Sequence, residues 1–106
     1  MPDYKFKFSP NDRASPPGKL CDVEIHFTGD DIFGQTKYIG YAIWARRTGD
    51  GRNVTFPARQ YSVNGERRSF ALHRPISDAA AMDRVRDAIL EAYAEFEDEQ
   101  SRSDTA

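Results

Sequence analysis

A chain of 106 residues has room for one domain and little else. Its 39% hydrophobic, 30% charged and 12% aromatic residues exclude a disordered or fibrous class. No apolar run reaches the ~20 residues of a membrane span, no signal-peptide pattern is present, and a lone Cys21 forms no internal disulfide, so a soluble cytoplasmic protein is expected.

The first segment alternates aromatic and basic residues, Tyr4-Lys5-Phe6-Lys7-Phe8, the period of a short strand. Ser9 to Gly18, with Pro10, Pro16, Pro17 and Gly18, interrupts regular structure. Residues 1–19 therefore read as an N-terminal arm with a candidate short strand and a Pro-rich linker. From Leu20 to Phe27, Cys21, Val23, Ile25 and Phe27 alternate with Asp22, Glu24 and His26, as in a half-buried antiparallel strand. After the turn-rich 28–36 segment comes the most apolar strand, Lys37 to Arg46. Period 2 puts Ile39, Tyr41, Ile43 and Ala45 on one face and Tyr38, Gly40, Ala42 and Trp44 on the other. Both faces look suited to burial, and one helix covers only one. The arm or a second subunit is expected on the other.

Two hairpin signals follow, Asp50-Gly51 before Val54-Thr55-Phe56 and Asn64-Gly65 before Ser69-Phe70-Ala71-Leu72. Pro57 falls inside the third strand and demands a bulge or an unpaired edge, since proline cannot donate to a ladder. The last element is a helix capped by Ser77 or Asp78, with Met82, Val85, Ile89, Ala92, Tyr93 and Phe96 forming one apolar stripe. The expected fold is α+β: a four-stranded antiparallel β-meander followed by one C-terminal amphipathic helix. The ββββα domain covers 20–97, and 98–106 form a disordered acidic and polar tail.

Charge is divided between these elements. Between Thr36 and Arg74 lie eight basic residues and two acids, whereas from Pro75 onward nine acids face three arginines. The sheet is basic and the helix acidic.

Enzymatic constellations are absent from the sequence. The two histidines, His26 and His73, lie on separate strands; Cys21 falls on an apolar face; no nucleophile elbow, phosphate-cradling glycine loop or zinc spacing occurs. The Asp30-Asp31 pair reads as a solvated turn rather than a metal site. No enzyme, metal, cofactor or small-molecule substrate is expected. The arginines carry more. Arg46 and Arg47 end the second strand, Arg52 follows the Asp-Gly turn, Arg59 lies on the third strand, and Arg67 and Arg68 follow the Asn-Gly turn. A guanidinium offers phosphate a planar donor fork. Tyr38, Trp44 and Tyr61 would add stacking platforms for bases. Exposed arginines also simply protect sheet edges and keep a sheet soluble. An exposed Trp44 or Tyr61 sharing a face with the arginines favours nucleic acid; arginines paired with the acidic helix make the charge division structural.

Val54 to Phe96 resembles the C-terminal half of the SpoVG family of bacterial septation and gene-expression regulators. The resemblance rests on Phe56-Pro57-Ala58-Arg59, Asn64-Gly65-Glu66 with its following arginines, His73-Arg74-Pro75-Ile76, and the helix ending at Ala92-Tyr93, over roughly 40% of the chain. Arg74 is inserted relative to the family's tighter His-Pro-Ile, and the helix is acidic, so only Arg59, Arg67 and Arg68 match basic motif positions. The resemblance implies a sheet-plus-helix fold, a homodimer, and DNA or RNA binding by basic residues. The alternative is a dimeric interaction module that binds an acidic protein through the same arginines.

Overall fold

The computed structural model describes residues 3–11, 16–46 and 51–105. Six strands precede one helix: β1 (Tyr4–Pro10), β2 (Lys19–Phe27), β3 (Thr36–Ala45), β4 (Arg52–Thr55), β5 (Ala58–Val63), β6 (Glu66–Ala71) and α1 (Ala80–Thr105). The first four form an antiparallel meander in the order β1-β2-β3-β4, and β5-β6 form a separate two-stranded ribbon. Four-stranded meander and C-terminal helix are thus both present. The strands that build the meander differ from the sequence expectation. The N-terminal arm does not cover a face of the sheet; it joins as edge strand β1, with Phe6 opposite Ile25 and Phe8 opposite Val23. The expected third strand divides at Pro57, and its second half leaves the sheet with the expected fourth strand.

Alternation decides which face is buried. Cys21, Val23 and Ile25 of β2, Tyr41 and Ile43 of β3 and Val54 of β4 point toward α1 and are buried, with Phe6, Phe8 and Phe27 packed around them. The helix answers with Val85, Ile89, Tyr93 and Phe96, spaced by three and four as one stripe requires. Ile89 is fully buried, and the ring centroids of Phe8 and Phe96 lie 5.2 Å apart. Asp78 caps the helix, its Oδ1 accepting from the Ala80 N–H at 3.0 Å. The helix runs to Thr105, through the stretch assigned from sequence to a disordered tail; the i,i+4 pair Asp98–Arg102 (2.8 Å) favours that continuation. No helix among the described residues is long and apolar enough to cross a membrane.

Strict alternation fails once in β3. Gly40 has φ +113°, and the register of β2 against β3 shifts between Val23 and Ile25. One residue is therefore extra, and Tyr38 joins Tyr41 on the helix side, their rings 5.9 Å apart. The bare Cα of Gly40 also admits Pro57: a Cβ built at Gly40 would stand 2.8 Å from Pro57 Cβ. Pro57 is buried there, and its carbonyl accepts from the Leu72 N–H at 3.0 Å, closing the base of the ribbon. The far end closes at Asn64 (φ 52°) and Gly65 (φ 82°), two positive φ angles in a row as a type I′ turn requires.

Two measurements test this framework. Gly40→Ala combines a forbidden φ with a steric clash and should lower the unfolding free energy by about 2 kcal/mol or more, read by urea denaturation. Gly65→Ala meets nothing within 4 Å and should cost about 1 kcal/mol. The second concerns pH. Burial pushes the Cys21 thiol up to about 11 and the Tyr41 phenol up to about 12. A raised folded-state pKa means that the native chain holds protons the unfolded chain releases, so stability is full below about pH 9 and falls as pH rises through 11. Cys21→Ala should flatten the pH 9 to 11 portion of that decline.

Candidate nucleic-acid interface

The Asn64-Gly65 turn fixes the register of the ribbon: Val63 faces Glu66, Tyr61 faces Arg68 and Arg59 faces Phe70. Residues directly opposite in an antiparallel pair project to the same side. One face of the ribbon therefore carries Arg59, Tyr61, Val63, Glu66, Arg68 and Phe70, one acid standing among its two arginines. The other carries Gln60, Ser62, Arg67 and Ser69, with Gln60 Nε2 donating to Ser69 Oγ at 3.4 Å. All twelve strand residues are exposed, including Tyr61 at 42%. Arg74, just past the ribbon, lies with its guanidinium carbon 4.7 Å from the Phe70 ring centroid. Arg68 reaches Glu66 at 3.2 Å across solvent.

The expected arginines are thus only partly gathered. Arg59 and Arg68 share a face with exposed Tyr61, Arg67 stands on the reverse of the same ribbon, and Arg47 lies outside the described residues, as does Asp50 of the first turn. Arg46 and Arg52 flank the β3–β4 connection, where the Arg46 N–H donates to the Gly51 carbonyl at 3.2 Å, at the other end of β4 from the ribbon. Arg52 is half-buried and pairs with Glu97 of α1 at 3.3 Å. This arginine joins the basic sheet to the acidic helix. Trp44 lies on the sheet face away from α1, half-buried, its Nε1 donating to Thr55 Oγ1 at 2.9 Å. It does not adjoin Tyr61 on the ribbon. Phe70 and Arg74 were absent from the candidate set read from the sequence. The signal that finds them is the two-residue Asn-Gly loop, which counts back from Val63↔Glu66 to Arg59↔Phe70.

The sheet face away from α1 carries a polar cluster on β2 and β3 beside apolar Ile39 and Trp44. Glu24 accepts from Lys37 Nζ at 3.3 Å and lies 2.8 Å from His26 Nε2; these partners hold its carboxyl below the usual range, the hydrogen bond with His26 first. In the β2–β3 connection Asp31 Oδ1 accepts from the Phe33 N–H at 3.0 Å, an Asx turn. Among the described residues no three His, Cys, Asp or Glu side chains converge as a metal site would require.

Compared with protein-family models, with curated proteins and with solved structures, the chain finds no match.

The difference between Arg52, half-buried against the helix, and the exposed ribbon arginines has a measurable consequence. Arg52→Ala removes an ion pair screened by solvent together with a partly buried stem, and should lower stability by about 1 kcal/mol. Arg59→Ala, Arg67→Ala and Arg68→Ala should each stay within about 0.5 kcal/mol of the parent in the same urea titration.

Proposed function

We propose that this chain is a small nucleic-acid-binding protein that contacts DNA or RNA phosphates through Arg59, Arg67 and Arg68 of its β5-β6 ribbon. One observation carries the reading: an exposed ribbon that places Arg59, Tyr61, Arg68 and the Arg74–Phe70 stack on a single face. Arginine offers phosphate two donors in a plane, and Tyr61 and Phe70 offer flat apolar surfaces to unpaired bases. A two-stranded ribbon is also one of the two elements that fit the roughly 12 Å width of the B-DNA major groove. The helix carries most of the chain's acids, and repulsion between it and phosphate would favour approach by the ribbon.

The reading includes a homodimer. The radius of gyration, 15.8 Å, exceeds the about 13 Å of a compact domain of this length. Ile39 on β3 and Ile32 and Phe33 in the β2–β3 connection are exposed, surface that a second copy would cover. The motifs resembling SpoVG fall mainly on the ribbon and the segment after it, in agreement with that use of the ribbon.

Fluorescence anisotropy with labelled random-sequence oligonucleotides, single- and double-stranded, tests the proposal. Affinity should fall steeply with salt, as counterion release requires. The triple variant R59A/R67A/R68A should bind more weakly and reduce the slope of log K against log salt by roughly 2 to 3. No binding at low salt refutes the reading, and recovery of one acidic protein from nuclease-treated extract would replace it with the interaction-module alternative.

A further inference from the structure

A second site lies at the root of the ribbon, where Arg74 borders both. The N-terminal half of α1 and the β1–β3 part of the sheet diverge to leave an open groove of about 660 Å³, within the about 300 to 1,000 Å³ usual for small-molecule sites. Phe6, Phe27, Tyr38 and Tyr41 form its sheet wall, and Val85 and Ala88 its helix wall. Three polar groups stand among these: His73, Arg74 and Arg84.

We propose that this groove binds a small amphipathic carboxylate, its hydrocarbon or aryl body between the aromatic rings and its carboxylate at Arg74 and Arg84. Charge complementarity selects the occupant. Every charged side chain lining the groove is an arginine, and no aspartate or glutamate lines it. Arg84 has one contact outside, Nη1 to Asp78 Oδ2 at 3.5 Å, which leaves most of its five N–H donors available. Arg74 lies with its guanidinium carbon over the Phe70 ring, a contact that does not itself use up the planar donor fork that a carboxylate takes. Between the rings, His73 Nδ1 and Tyr41 Oη are 2.6 Å apart. The Tyr41 and Phe56 rings both pack edge-on to the His73 imidazole, at 5.7 Å each. This contact set holds the polar end of the groove in place before any ligand arrives. An ammonium would meet two like charges there. A neutral alcohol would leave the arginines uncompensated, so the anion is the species the site distinguishes.

The full-length chain, titrated with 8-anilinonaphthalene-1-sulfonate, should give a saturable fluorescence increase, because this probe is itself an aromatic anion. Octanoate should displace it at a concentration about tenfold lower than octanol or octylamine does, the factor expected from one added charge-assisted contact. Arg84→Gln and Arg74→Gln should each shrink that preference while octanol competes as before. Ala88→Phe should abolish the probe signal with the helical circular dichroism unchanged. Equal displacement by the three competitors overturns the proposal, as does undiminished probe binding in Ala88→Phe. If Ala88→Phe does not fold, an octanoate preference that survives both arginine variants refutes it equally. A chain that gives no probe signal, and whose light-scattering mass is that of a dimer, would show the groove to be covered by a second copy. The readout is independent of oligonucleotide binding, so either site can fail alone.

Discussion

The contact between Gly40 and Pro57 is the constraint on which the rest of the architecture depends. Proline at 57 has no N–H to give to β3, so the fourth strand of the meander must end before it. The ring then needs somewhere to go, and it lies against Gly40, a glycine with positive φ and no side chain. Three consequences follow from this one meeting. β4 stops at Thr55, which leaves Thr36–Tyr41 of β3 without a strand on that side among the described residues. The chain after Pro57 turns out of the sheet and folds back on itself as a ribbon. The extra residue at Gly40 rotates Tyr38 to the helix side, where it helps wall the groove. Ribbon and groove are therefore not separate additions to the fold; both are what remains when a four-stranded sheet is cut short at one corner.

The charge division of the chain is also resolved into two kinds of arginine. Arg52 is sequestered by Glu97 across 45 residues of sequence, and its alkyl stem lies against the protein, so its charge serves the seam between sheet and helix. On the ribbon Arg68 pairs with the nearby Glu66 at the exposed surface, and just past it Arg74 lies over the Phe70 ring. Surface pairs of that kind contribute little to stability. These exposed cations therefore contribute little to the fold. The net charge of −2 conceals this, because the nine acids beyond Pro75 balance the cations in sum while lying on another element.

Much of this was readable from the residues. The alternation Cys21-Val23-Ile25-Phe27 and the helix stripe at Val85, Ile89, Tyr93 and Phe96 are local patterns with a single burial solution. The Asn64-Gly65 turn gives its own register, and Asp78 its own cap. Pro57 announced an interruption. Its sequence could not announce the direction of the chain afterwards, since that depends on Gly40, seventeen residues earlier, being free to receive it. Nor could alternation place Tyr38, because a bulge shifts every side chain beyond it to the opposite face. The pair Arg52–Glu97 and the groove escape for the same reason. Each is made by residues from distant segments, and no spacing rule connects Phe27, Tyr38, His73 and Ala88. Trp44 shows a different limit: its residue type suggests a stacking platform, but the sequence does not show that its indole N–H would donate to Thr55 across the sheet.

The ribbon itself has a further physical implication. Two strands without a covering layer are of marginal stability in water, and here neither β5 nor β6 packs extensively on any other element. What holds them is their own ladder, the I′ turn at one end and the Leu72–Pro57 hydrogen bond at the other. A ribbon held only at its root has few contacts to lose when it bends, so it can follow a curved surface at small cost. Binding on its Arg59–Tyr61–Arg68 face would supply the missing second layer. Part of the intrinsic affinity of such a contact would be spent in fixing the ribbon's curvature. The root of the ribbon, Leu72-His73-Arg74, is at the same time a wall of the groove. Whatever fills the groove touches the hinge of the ribbon, and the two surfaces share a covalent segment of three residues.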